Sequence, residues 1–354
     1  MPLPPGPPAP EGAADSPVFL RACRRQAAPF TPVWLMRQAG RYQPEYRAIR
    51  AKVSFLELCK TPNLAAEVTV MAAEQLGVDA AIIFADILLL LEPMGVPIAF
   101  GGDGEGPQIL RPVRTTADIE RVDGEADPGA LGFVLQAIRQ VRAALPRTPL
   151  IGFAGAPFTL ASYAIEGGGS KNYVETKSMM YRDPGAFASL MERLTLATGR
   201  YLNAQIEAGA QAVQIFDSWA GSLAPVDYRR HVLPHMKRLV AAITPGVPVI
   251  TFGTGTGGFL EDLAASGASV VGVDWRLDLD EAARRLPDVS LQGNLDPVVL
   301  FAPIPVIREH VKRILDSVRG RPGHVFNLGH GILPGTPVEN VQALVAAVHE
   351  LSAR

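Results

Sequence analysis

Arg37, Gln38 and Arg41 stand directly behind a short apolar run in VWLMRQAGRYQ, with Ala39 and Gly40 spacing them. A planar guanidinium forks onto a carboxylate or phosphate, and Gly40 lets backbone approach a ligand closely. An anionic substrate suits this pairing, although arginines paired with carboxylates of the fold itself would read the same way. Asp86 closes the apolar stretch AAIIFAD and is flanked by Phe84, Ile87 and Leu88. A carboxylate in such surroundings is costly unless it is paired. Three roles are open to it: capping the next segment, neutralising Arg37 or Arg41, or accepting N–H donors from a ligand.

Other polar residues recur behind apolar runs. FDSW supplies Asp217 and Ser218, and NLGHG supplies His330 between Gly329 and Gly331, whose small size exposes the histidine backbone. FGTGTGG holds a G-x-G-x-x-G pattern at Gly253, Gly255 and Gly258, with Asp274 ending the next apolar run. The pattern resembles a dinucleotide fingerprint. It stands too late in the chain to open a nucleotide-binding half, so a substrate or wall loop is the simpler expectation. His231 and His235 could share a helix face, but no further ligand accompanies them at metal-binding spacing. No G-x-S-x-G nucleophile motif is present.

These residues must be positioned by regular elements. Apolar runs predict strands at 33–37, 80–85, 149–154, 212–217, 247–252, 270–274, 289–293 and 324–328. Helical patterns are expected at 62–76, 128–145, 184–208, 227–243, 258–266, 278–286, 306–319 and 337–351. Asp183 and Pro184 read as an N-cap followed by the first helical residue. Eight strand–helix units with apolar strands imply a parallel sheet covered on both faces. Closed, it is an α/β fold of the (β/α)8 TIM-barrel type in a single domain; an open doubly wound sheet is the other arrangement. PIAFGGDGEGPQILRPV reads as a hairpin excursion. Nearly every predicted strand ends in a polar residue, and barrel enzymes build their sites from those carboxyl ends. Arg50 is expected on the surface.

The chain has 354 residues, is 48% hydrophobic and carries a net charge of −2, enough for a large core. That charge gives no global field to gather nucleic acid or a membrane surface. Asp86 and Glu92 interrupt the longest apolar stretch, which argues against a membrane span. Cys23 and Cys59 form no disulfide framework, and a reducing cytoplasm is the expected compartment. Residues 1–17 are proline-rich and read as a disordered arm, which leaves 18–354 as the barrel domain.

PVWLMRQAGRY and GFAGAPFTLASYAIEGGGSKNY resemble the two signatures of the uroporphyrinogen decarboxylase family, and FADIL, FDSWAG, GNLDP and NLGHGI match in order. The likeness runs from about residue 18 to the end. It implies a homodimeric barrel without metal or organic cofactor that removes four acetate carboxyls from uroporphyrinogen III, giving coproporphyrinogen III. By motif position it implies Arg37, Gln38, Ala39, Gly40, Arg41, Asp86, Tyr163, Ser218 and His330 as substrate-binding residues, with Asp86, Arg37 and Tyr163 catalytic. Some relatives carry Thr in place of Ser218, which also supplies a hydroxyl. Asp86 would then meet inward-pointing pyrrole N–H groups while the arginines hold substrate carboxylates. The proton donor stays open among Arg37, Tyr163 and water. Two other activities remain: a zinc-dependent methyltransferase of the same barrel superfamily, and a binding protein without catalysis.

Overall fold

A computed structural model describes residues 16–101 and 106–353. Seven parallel strands follow one another around a curled sheet: β1 (Ala81–Ile82), β4 (Leu150–Gly155), β5 (Ala212–Asp217), β6 (Val249–Gly253), β7 (Val270–Gly272), β8 (Ser290–Gln292) and β9 (His324–Val325). β2 (Ile98–Phe100) and β3 (Pro107–Ile109) pair antiparallel as the expected hairpin, whose tip lies outside the described residues. The expected arm at 1–17 also falls outside them except for its last two positions.

The eighth stave is the segment around Val33, and it closes the barrel without being a regular strand. On one side Val33 bridges Phe326 in parallel, with Phe326 N–H donating to Pro32 O at 2.8 Å. On the other side Asp79 N–H donates to Val33 O at 2.8 Å, and the Asp79 carboxylate accepts Val33 N–H at 2.7 Å. Side-chain amides take over where the backbone ladder stops. Gln38 accepts the Leu35 N–H and donates to Ala80 O, and Asn327 accepts the Met36 N–H at 3.1 Å. The expected strand at 33–37 is therefore corrected to a single bridge, because these side chains satisfy the backbone groups that a ladder would have used.

Inside the barrel, Trp34 Nε1 donates to Gln292 and Gln292 donates to Gln214, each at 3.0 Å. The helix Val18–Cys23 packs Phe19, Leu20, Ala22 and Cys23 against Trp34, Ile151, Ile250 and Val325, and Ser290 Oγ donates to Ala22 O. This helix plugs the amino-terminal mouth. Of the outer helices, Pro62–Leu76 and Pro184–Glu207 match expectation, and Asp183 caps Ala186 N–H at 2.9 Å. The expected helix 227–243 is two helices, Pro225–His231 and Leu233–Ala241, since Pro234 can only open a helix here. The short helices Pro44–Arg50, Phe55–Lys60, Pro157–Glu166 and Val174–Arg182 were not expected from periodicity.

His349, on the last helix Val338–Ser352, meets the Asp79 carboxylate at 2.8 Å and so latches the seam. Hydrogen bonding to Asp79 raises the imidazole above its usual range. A base whose folded pKa is raised adds stability that is complete below the unfolded value of ~6.5 and fades as pH rises through the folded value. The melting temperature of wild type should therefore exceed that of His349→Gln at about pH 5.5, with the gap shrinking toward about pH 9. A gap independent of pH would show that the latch carries no charge.

Candidate active site

A cleft of ≈570 Å³ opens at the carboxyl-terminal end of the strands. Arg37 to Arg41 come from the Val33 stave, Phe84 to Leu88 follow β1, Ser218 and Trp219 follow β5, and His330 follows β9. Phe153, Phe216 and Phe252 supply an aromatic floor. Each expected site residue, Tyr163 included, lines this one cleft.

Arg37 takes a left-handed backbone conformation, φ +60°, which is rare for a bulky residue. Its side chain lies across Gly331: a Cβ there would come within 2.6 Å of Arg37 Cγ. The NLGHG glycines thus have a reason other than exposing His330. Gly331 makes room for Arg37, and a Cβ at Gly329 would overlap Trp275 N. Arg37 and Arg41 are both exposed to solvent, and neither guanidinium makes a hydrogen bond or ion pair within the described residues. The alternative that they serve carboxylates of the fold does not hold. Arg50, expected on the surface, lines the cleft half-buried at the end of Pro44–Arg50 and donates to Val53 O. Sequence gave no sign of this, because nothing in a helix-end arginine tells which way the helix faces.

Asp86 follows β1 and is half-buried. One carboxylate oxygen accepts the Leu88 N–H at 2.8 Å, so the residue does cap the segment after it. No cation lies within ion-pairing distance among the described residues. Desolvation pushes the carboxyl up to about 6, with the Leu88 N–H and the more distant Arg37 charge opposing. Near neutral pH it is a mostly ionised, incompletely satisfied acceptor facing a cleft. That is an arrangement for cationic or N–H-bearing ligands.

Tyr163 lies on Pro157–Glu166 and stacks on Trp219 with ring centroids 3.7 Å apart. Burial raises its hydroxyl well above the ordinary tyrosine value, with the Asp86 charge acting the same way, so it stays a neutral donor. Burial and the Arg37 charge lower the His330 pKa and keep its imidazole neutral. The Ser218 hydroxyl sits on the wall beside Trp219. Gln38 borders the cleft, but it is 1% exposed and its amide is spent on the barrel seam. Trp219 was not anticipated as a wall residue, although its place after Asp217-Ser218 was visible.

The glycine-rich loop is structural. Asp274 accepts the Gly255 N–H at 2.6 Å and pairs with Arg276 at 2.6 Å, leaving no carboxylate free for a ribose. Gly255 has φ +73°, and a Cβ at Gly221 would overlap Thr254 O, so close packing accounts for these glycines. His231 and His235 fall on separate helices: His231 lies edge-on to Phe187, and His235 is 3.8 Å from Glu192. Among the described residues no three His, Cys, Asp or Glu side chains converge as a metal site. Cys23 and Cys59 are free and buried and do not line the cleft, and desolvation pushes Cys23 up to about 12. No described helix is long and apolar enough to cross a membrane.

Comparison with known proteins bears on the same chain length. The family described as uroporphyrinogen decarboxylase (URO-D) matches residues 15–351. The uroporphyrinogen decarboxylase of Carboxydothermus hydrogenoformans is 57% identical over 94% of this chain and 96% of its own. That of Sorangium cellulosum is 54% identical over the same shares. Among solved structures, a methyltransferase from Methanosarcina mazei superposes with a TM-score of 0.77 at 22% identity, covering 94% of this chain and 97% of its own. At that identity the likeness is one of fold, and it supports the barrel architecture alone. The chain belongs to the uroporphyrinogen decarboxylase family.

Proposed function

We propose that this protein is a carboxy-lyase that removes the four acetate carboxyls of uroporphyrinogen III, releasing coproporphyrinogen III and CO2. The observation that carries this is the cleft in which an incompletely satisfied Asp86 carboxylate and two unpaired guanidiniums lie together without pairing to one another. The substrate is complementary on both counts. Its rim bears carboxylates for Arg37 and Arg41, and its four pyrrole N–H groups point inward, where Asp86 can accept them.

Each cycle exchanges one carboxylate for one proton. Protonation of a pyrrole ring carbon gives an imine-like cation, which takes up the electron pair when the C–CO2 bond breaks; a second protonation at the exocyclic carbon and loss of the ring proton leave a methyl group. The substrate ring is thus its own electron sink, a role that a cofactor fills in other decarboxylases. Asp86 stabilises the cation, which is oxyanion-hole logic with the sign reversed. The ring proton comes from Arg37, Tyr163 or a water in the cleft. Tyr163, Ser218 and His330 are assigned to substrate binding with Gln38, Ala39 and Gly40 at the wall. We further place the reaction in the cytoplasm, on a homodimer. Buried free thiols are compatible with a reducing compartment. The exposed apolar Val298, Phe301 and Ile304 supply surface that an assembly would cover.

Anaerobic incubation of the pure protein with uroporphyrinogen, followed by chromatography of the products, should show stepwise loss of carboxyls ending at the tetracarboxylic species. Protein treated with chelator and dialysed should behave identically. Binding without carboxyl loss would make it a carrier, and activity lost to chelator and restored by zinc would move it toward metal-dependent methyl transfer.

Arg37→Ala and Arg41→Ala should each lower kcat/KM by roughly 30-fold to several thousand-fold, the equivalent of about 2–5 kcal/mol for a lost charge-assisted clamp. Lys at either position should restore only part, because it returns the charge without the fork. Arg139→Ala is the control, since Arg139 is exposed on the outer helix Gly132–Ala144. Wild-type kinetics in both Ala variants would remove the carboxylate clamp.

A further inference from the structure

Asp217 is the last residue of β5 and is 3% exposed, yet it does not line the cleft. One of its oxygens accepts the Thr159 hydroxyl at 2.8 Å, and the other is buried with no hydrogen-bond partner. Thr159 in turn accepts the Trp219 N–H at 3.3 Å. It also sits four residues before Tyr163 on the helix Pro157–Glu166, so the two side chains share one face. The loop is closed by the Tyr163–Trp219 stack, which Tyr173 flanks edge-on at 5.0 Å. The Ala156 N–H bonds Phe216 O at 2.9 Å and ties the start of this helix to the same strand.

We propose that Asp217 is a positioning residue for the decarboxylation site, acting through the Thr159 hydroxyl to fix the Trp219–Tyr163 wall that faces Asp86 across the cleft. The proposal rests on the decarboxylase reading of that cleft. The Tyr163 hydroxyl has no hydrogen-bond partner among the described residues, so its ring is held by packing against the core and by the Trp219 stack. The stack alone leaves ring sliding unopposed. A hydroxyl that bonds both the strand end and the Trp219 backbone removes that freedom. The unpartnered oxygen makes an ionised form costly there, and burial pushes the carboxyl up to about 7, so the full charge is not what the bond to Thr159 requires. An amide at position 217 should therefore serve nearly as well, whereas loss of the Thr159 hydroxyl should not be tolerated.

The test compares wild type, Thr159→Val, Thr159→Ser and Asp217→Asn for uroporphyrinogen turnover, melting temperature and near-ultraviolet circular dichroism, which reports the Tyr163–Trp219 stack. Wild-type turnover is the check on the underlying reading, and its absence would sink that reading before the variants are compared. Given active wild type, Thr159→Val should lose about ten- to a hundred-fold in kcat, the scale of a ~1 Å misplacement. KM should rise less than kcat falls, since the arginine clamp is intact while Tyr163 is displaced, and the aromatic dichroism should fall. Thr159→Ser and Asp217→Asn should stay within about three-fold of wild type, less than a tenfold change being under ~1.4 kcal/mol. Folded Thr159→Val with wild-type kcat and dichroism would overturn the proposal. So would an inactive, folded Asp217→Asn, because that would make the charge rather than the positioning bond the essential feature.

Discussion

Opposite charges held in one cleft without neutralising one another are the constraint on which the rest of this structure depends. Left free, the Asp86 carboxylate and the Arg37 and Arg41 guanidiniums would gain by pairing, and a paired site would have nothing to offer a polyanionic ring with N–H groups at its centre. The fold keeps them apart. Asp86 is held at the end of β1 by the Leu88 N–H. Arg37 is held on the neighbouring stave by a left-handed backbone and by the space over Gly331. On the proposed function the resulting cost is recovered when substrate arrives, because each group would then be matched by a partner of opposite character.

That separation relies on the barrel seam. The stave bearing Arg37 is fixed by few ladder bonds, and instead by Asp79, Gln38 and Asn327 reaching onto its backbone. Side-chain amides allow the segment to leave the sheet immediately after Met36, where a longer strand would have carried Arg37 along the wall. The same economy appears on the opposite wall. There the helix Pro157–Glu166 begins directly after β4 and presents Thr159 to β5 and Tyr163 to the cleft. Gln38 shows that one residue of a motif can serve the scaffold while its neighbours line the cleft.

Much of this was legible in the sequence, and the failures have physical causes. The fully buried strand β4 is an unbroken apolar run, β5 departs from that pattern only at Gln214 and its last residue Asp217, and the Asp183–Pro184 start announces its helix by capping chemistry. The clustering of Arg37, Asp86, Ser218 and His330 followed from a rule of topology, that strand ends in a barrel share one mouth. What could not be read were long-range side-chain bonds. Nothing local says that Gln38 folds back to Ala80, that Asp274 is consumed by Gly255 and Arg276, or that Arg50 turns inward. The glycines of NLGHG and FGTGTGG answer to contacts with Arg37, Trp275 and Gly221 far away in the chain, which their local pattern does not reveal. The split at Pro234 was visible and outweighed by apolar periodicity on either side.

On the proposed mechanism the full negative charge of Asp86 stabilises the cationic ring, and comparison of Asp86→Asn with Asp86→Glu separates charge from shape. Asn keeps the size and the Leu88 bond but turns a donor toward the pyrrole N–H groups and removes the charge. Glu keeps the charge and advances it by one methylene. With both variants shown to be folded by their thermal transitions, single-turnover kinetics with uroporphyrinogen measures the chemical step apart from binding. The account predicts a loss of about 10²–10³ in that step for Asn, the scale of removing one preorganised transition-state partner, and a smaller loss for Glu. Equal rates for the two variants, or an Asn variant that matches wild type, would reduce Asp86 to a cap for Leu88 and contradict the electrostatic mechanism.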